Sequence, residues 1–308
     1  MSIKTVLFHR HFTGFQGGHL KVFDYINHVN SMPEYQAALF VTKESRFHEI
    51  WFSHTSLVKV FNPSLVDAIF LAGEDWQALS DYPSIEDHIP VFNLIQGFRH
   101  LDPNNKLYSY LPRKAVRVCV SPELTHGLMQ TGACNGPLHT IPNCIDHARL
   151  PAPLPLSLHS NRVFIAGLKQ PKLASQLAYR FVAQNINVSL CLDPLSRSEF
   201  LRLMNEASIA ITLPLVEEGF YLPALEAMAM GKALICPDCV GNRSFCLDSI
   251  NCLMPEFKLE SIEAAVYRLL DDPDFACQLR ERALIDSKSH TLERERSQFT
   301  DIFLSCMT

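Results

Sequence analysis

Short apolar runs recur along this chain, separated by segments long enough to hold a helix, and after a knot of prolines the pattern begins again. In the first half the runs fall at 5–8, 37–41, 68–71, 91–95 and 116–120. They carry apolar residues on both faces, as strands covered on both sides do. Leu20, Phe23, Ile26 and Val29 share one helical face within 19–29, and 122–129 reads as another helix. The second half offers strands at 163–166, 188–192, 209–213 and 233–236. Helices are expected there at 173–182, 200–205, 224–230, 259–270 and 275–287, with a last one at 292–303. Strands alternating with crossover-length helices predict an α/β protein with a parallel sheet in each half. A ligand of such a protein sits in the cleft between the halves, at the carboxyl ends of the strands.

At 308 residues the chain has length for two domains. Pro151, Pro153 and Pro155 stand within five residues and mark the linker. The expected division is a first domain over 1–150, a linker over 151–160, a second domain over 161–290 and a C-terminal helix over 291–308. With 47% hydrophobic and 19% charged residues, disordered and fibrous classes are excluded. Net charge is −5, with 12 basic and 13 acidic residues through Leu156 and 15 and 19 beyond it. Neither half has the basic excess of a nucleic-acid binder, so any anion must be held by a local site. The opening apolar run Val6-Leu7-Phe8 is too short for a secretory core, and no 18 apolar residues run together. Ten scattered cysteines, all from Cys119 onward, do not resemble a disulfide scaffold. Reduced thiols in a cytoplasmic protein are the expectation.

The most informative stretch runs from Glu217-Glu218-Gly219-Phe220-Tyr221-Leu222-Pro223 to Leu225-Glu226 and Gly231. It reads as a strand end, an acidic glycine loop and a helix. Pro223 suits the first helical turn, where a missing N–H leaves no bond unmade, and Gly231 ends the helix. Amides of Gly219, Phe220, Tyr221 and Leu222, together with the helix dipole, suit a phosphate. Glu218 and Glu226 would repel that phosphate unless they face neutral hydroxyls, and a carboxylate can take both hydroxyls of a vicinal diol.

The string EGFYLPALEAMAMGKALI, with Glu218 and Glu226 separated by seven residues, closely resembles the signature of family-four, GT-B-fold retaining glycosyltransferases. Ile141-Pro142-Asn143-Cys144-Ile145-Asp146 is similar to that family's I-P-N-G-V-D, and Val118-Cys119-Val120-Ser121-Pro122-Glu123-Leu124 to its strand-to-helix junction. Gly17-Gly18 is placed like its helix-opening glycine pair. The resemblance covers most of the chain in order. It implies two Rossmann-like domains facing each other across a cleft, with the C-terminal helix returning to the first. The implied activity is transfer of a hexosyl or related sugar from a nucleoside diphosphate sugar to a glycan or lipid-linked glycan, with retention and no obligatory metal.

By the same resemblance Glu226 holds the donor ribose and Glu218 the transferred sugar, while Gly219, Phe220, Tyr221, Leu222, Gly17 and Gly18 line the donor pocket. The family's basic pair becomes Lys169 and Lys172 here, with Leu168 at the arginine position. A lysine cannot grip two phosphate oxygens as a guanidinium does. Gln96 stands where the family has a histidine, and Arg99 and His100 just beyond it are the acceptor-side candidates. Glu74 and Asp75 follow another strand and reach the same side, whereas Trp76 and His9 read as structural. Asn242 and Arg243 replace a family turn and are further cleft candidates.

Cys236, Cys239, Cys246 and Cys252 lie within 17 residues but do not form two paired motifs, so no zinc is expected. No G-x-G-x-x-G occurs, which excludes a dinucleotide-dependent dehydrogenase. Polysaccharide biosynthesis on the cytoplasmic side is the expected setting, and peripheral association with the inner membrane face is open to such an enzyme. The alternative is a non-catalytic sugar-nucleotide-binding paralogue or a subunit of a transferase complex, an idea fed by Leu168 and Gln96.

Overall fold

The computed structural model describes residues 3–12, 14, 17–46, 56–153, 155 and 162–307. Much of the proline-rich linker, at 154 and 156–160, and residues 15 and 16 ahead of the glycine pair therefore lie outside the described residues. The chain divides into two units: 1–143 with 292–308, and 144–291. The division falls ahead of the prolines rather than among them.

The first unit begins with β1 (Lys4–Arg10), α1 (Gly17–Asn30), β2 (Tyr35–Val41) and β3 (Ser56–Leu57). It continues with β4 (Ala68–Ala72), β5 (Val91–Ile95), β6 (Val116–Cys119), α2 (Pro122–Thr131) and β7 (Leu138–Thr140). Seven parallel strands form one sheet in the order β3-β2-β1-β4-β5-β6-β7. The order reverses between β1 and β4, which opens a crevice at their carboxyl ends. Between β4 and β6 the connections are short 3-10 turns, at Gly73–Leu79, Ile85–Asp87, Phe98–Leu101 and Tyr108–Tyr110, in place of helices. The junction at Ser121 follows from its chemistry: its hydroxyl accepts from the Leu124 amide at 3.3 Å, and Pro122 opens α2.

The second unit holds β8 (Arg162–Ala166), α3 (Pro171–Ala183), β9 (Asn187–Cys191), α4 (Arg197–Asn205) and β10 (Ile209–Thr212). Then come α5 (Leu222–Ala229), β11 (Ala233–Ile235), α6 (Leu259–Asp271) and α7 (Pro273–Ser287). Its four parallel strands run β11-β10-β8-β9, so the reversal lies between β8 and β10. Val163, Ile165, Ile209, Ile211 and Ile235 pack against Leu177, Phe181, Val266 and Leu279 as the core of one face. The two ends of this unit meet, since Ile145 pairs with Thr291 and its amide donates to the His290 carbonyl at 3.2 Å.

The last helix, α8 (Leu292–Cys306), belongs to the first unit, as the return of the C-terminal helix requires. Phe299 meets Tyr25 and Phe70, and Phe303 meets Tyr35 and Phe92. Glu295 of α8 is wholly buried and bonds Lys21 at 2.7 Å and His28 at 3.0 Å, both on α1. Lys21 also bonds Asp24 at 2.8 Å. Burial works against the charge on both Lys21 and Glu295. The opposite charges around them outweigh it, raising the lysine and lowering the carboxyl.

Candidate functional site

In the second unit the loops after β8 and β10 emerge side by side at the reversal point. Gln170 ties them together, its side-chain amide donating to the Pro214 carbonyl at 3.2 Å. Lys169 on the first loop forms an ion pair with Glu218 on the second. The lysine also stands 5.6 Å from the centre of the Tyr221 ring. Glu218 is fixed from its own loop as well, accepting from the Leu215 amide at 3.1 Å. The two residues read from sequence as a diphosphate ligand and a sugar ligand are thus in direct contact. Lys172, two residues into α3, is exposed.

The Glu218 loop rests on the turn that follows β11. A Cβ on Gly241 would stand 2.7 Å from the Glu218 carbonyl and 2.8 Å from the Phe220 amide, so only glycine lets the two backbones touch. The contact is bonded: the Tyr221 amide donates to the Gly241 carbonyl at 2.9 Å, and Val240 to Val216 at 3.0 Å. One of the four amides expected to face an anion is therefore engaged inside the protein. Those of Gly219 and Phe220 donate to no carbonyl among the described residues. Asn242, read as a cleft residue, is instead fully buried beneath this turn. It donates to the Pro237 carbonyl at 3.1 Å and accepts from the Cys239 amide at 3.2 Å. Arg243 pairs with Asp238 at 2.6 Å on the exposed side of the turn. The Phe220 ring lies tilted against that of Phe245, with ring centres 5.1 Å apart. Burial raises the Tyr221 phenol well above its ordinary value and keeps it neutral.

Leu222 and Pro223 open α5, and Gly231 closes the segment with a φ of +64°, a conformation costly to any residue with a Cβ. Glu226 lies within α5 with only 3% of its side chain exposed. Burial raises its pKa, and Arg197, whose Nη1 lies 2.7 Å from Oε1, pulls it back. Sequence reasoning passed over Arg197. A signal was present: Ser196 caps α4, which places Arg197 at its first position, where the helix dipole disfavours a cation. A carboxylate nearby offsets that modest cost.

In the first unit the glycine pair opens α1 and meets Gln96, whose side-chain amide donates to the Gly18 carbonyl at 3.2 Å. Arg99 is exposed, whereas His100 is buried and its Nδ1–H donates to the Gly97 carbonyl at 2.9 Å. Burial pushes the His100 pKa down to about 4, so the ring is neutral. Trp76 is packed in the core, stacked with Tyr110 at 6.1 Å. The crevice between β1 and β4 holds a group of side chains that were not read together. Asp75 bonds His9 at 3.0 Å and Arg10 at 2.6 Å, and Arg10 donates to His19 Nδ1 at 2.8 Å. Burial, then the Arg10 charge, lowers His19 to about 4. The His9-Arg10-His11 run at a strand end was the available signal.

Cys236, Cys239, Cys246 and Cys252 are all free thiols and all buried. Among the described residues no group of three or more His, Cys, Asp or Glu is placed to hold a metal ion. No helix among them is long and apolar enough to cross a membrane.

Residues 154–272 match the family model of glycosyl transferases group 1. That segment contains Lys169, Lys172, Arg197, Glu218 and Glu226. No curated protein sequence matches the chain. Among solved structures it is similar to HepE of Anabaena in complex with UDP, at 14% identity and a TM-score of 0.77, over 98% of this chain and 100% of that one. Sucrose-phosphate synthase from Thermosynechococcus elongatus aligns at 12% identity and 0.72, over 98% and 99%. The lipopolysaccharide outer core galactosyltransferase WaaB, in its apo form, aligns at 13% and 0.66, over 98% and 99%. The chain has the GT-B fold, and residues 154–272 within its second unit and the segment leading into it are similar to the group 1 glycosyltransferases.

Proposed function

We propose that this protein moves a sugar from a nucleoside diphosphate sugar to a hydroxyl of a glycan or lipid-linked glycan, with retention at the anomeric carbon. The observation that carries the reading is the meeting of Lys169, Glu218 and the start of α5 at one strand-reversal point, with Glu226 seated just behind. Glu226 takes the ribose diol. Glu218 addresses the transferred sugar, and Lys169, Lys172 and the amides of Gly219 and Phe220 stabilise the charge that grows on the leaving diphosphate. With these groups doing so, the reaction needs no metal. The leaving phosphate itself helps to take the acceptor proton, so neither glutamate is a nucleophile. The structures of HepE with UDP and with UDP-glucose support a uridine donor. Cell-surface polysaccharide assembly on the cytoplasmic side is the setting we infer, with the first unit receiving the acceptor.

The test separates the two glutamates. Glu226→Ala removes charge-assisted hydrogen bonds worth about 1.5–3 kcal/mol each, so UDP affinity falls together with donor affinity. Glu218→Ala frees Lys169 from its resting partner, so UDP binding is kept or tightened while transfer collapses, because a sugar contact that strengthens as the bond breaks counts in turnover. Isothermal titration with UDP, beside a transfer assay run with chelator, measures both. Equal loss of UDP binding in the two variants would overturn the assignment.

A further inference from the structure

Arg197 occupies a position at which a helix gains nothing from a cation, and its guanidinium reaches across to α5 to bond the buried Glu226 at 2.7 Å. We propose that Arg197 is a positioning residue for the donor, holding the Glu226 carboxylate in the orientation that receives the ribose diol. The inference rests on the reading of Glu226 given above and adds a residue to it.

The physical argument concerns what a buried carboxylate does without a cation. With 3% of its side chain exposed, Glu226 has little water to stabilise its charge. Left alone it takes up a proton or turns toward another donor. A protonated carboxyl has lost its charge and part of its acceptor capacity, and holds the two hydroxyls of a diol more weakly. One guanidinium N–H on Oε1 prevents this and still leaves lone pairs for two hydroxyls, because an ionised carboxylate offers about four. The opposing pulls on the Glu226 pKa, burial upward and Arg197 downward, agree with this role. Arg197 is 22% exposed in its side chain, more open than the carboxylate it serves.

Other ionisable groups surround α5 and titrate in their own right. Tyr221 precedes it, Lys232 lies between it and β11, Cys236 and Cys239 follow β11, and Arg280 comes from α7, which packs on α5. Burial holds Tyr221 and Cys239 neutral and lowers Lys232 to about 7, so the wild-type protein at the same pH is the reference throughout.

The experiment titrates full-length wild type, Arg197→Met and Arg197→Lys with UDP and with 2′,3′-dideoxyuridine 5′-diphosphate at pH 6, 7.5 and 9. In Arg197→Met, UDP affinity is expected to fall roughly tenfold at pH 6, the cost of one charge-assisted hydrogen bond. The loss shrinks toward pH 9, as the carboxyl ionises without help. The dideoxy compound, which has no diol, binds all three proteins alike, and Arg197→Lys follows wild type. Equal weakening of both compounds at every pH would show that Arg197 only supports the fold. Tighter UDP binding by Arg197→Met would show that the guanidinium blocks the diol. Either result overturns the proposal while leaving the role of Glu226 standing. A wild type that does not discriminate the two diphosphates overturns both readings together.

Discussion

His100 is neutral in the folded protein because burial pushes its pKa down to about 4, against an ordinary 6.5. Below pH 6.5 the unfolded chain binds a proton that the native state refuses. Stability therefore falls as pH drops from 6.5 toward 4, by up to about 3 kcal/mol for a shift of this size. Urea denaturation across that range should show a shallower decline in His100→Gln than in wild type, and parallel curves would remove His100 as the cause. The same burial argues against this ring as an acceptor-side group, and its place in the sequence beside exposed Arg99 gave no hint of it. Glu218 and Glu226 were legible because their motif is local, with a loop, a proline and a helix stop within 15 residues. Arg197 and the group of His9, Arg10, His19 and Asp75 were not. For Arg197, His9 and Arg10 the meaning lies in partners 29 to 66 residues away, which only the fold brings into reach.

At the level of elements, side chains of Lys169, Gln170 and Glu218 join the two loops of the site, whereas the Glu218 loop meets the turn after β11 through backbone. Gly241→Ala forces a methyl group into the Glu218 and Phe220 backbone, a steric cost of about 1–3 kcal/mol. The expected result is a lower melting temperature and UDP affinity reduced at least tenfold. A variant that binds UDP normally would show that the loop tolerates displacement. Legibility followed burial. Every strand with a continuous apolar run was read within a residue or two of its bounds. The strands missed, β3 and β7, lie at the two edges of the first sheet, with β3 exposed and β7 only half-buried. At two and three residues, and only partly covered, they leave no apolar run to read. The turn at Asn242 was misread for a related reason: a polar residue in a loop suggests a ligand, yet buried backbone groups need polar partners as well.

For the molecule as a whole, α8 is structural to the unit that the chain left at Asn143. Glu295→Gln leaves Lys21 and His28 buried beside a neutral amide, and breaking a buried ion pair in this way costs about 3–5 kcal/mol. Thermal unfolding should register it as a lower transition of the first unit. An unchanged transition would mean that Asp24 alone sustains Lys21. The pairing of Ile145 with Thr291 has a different consequence, one for exchange between proteins. Both seams of the second unit come to a single place, so its coding segment can be lifted out and another put in without stretching or trimming either junction. A chain built this way can exchange its second unit by recombination while its first, closed by its own C-terminal helix, is inherited intact.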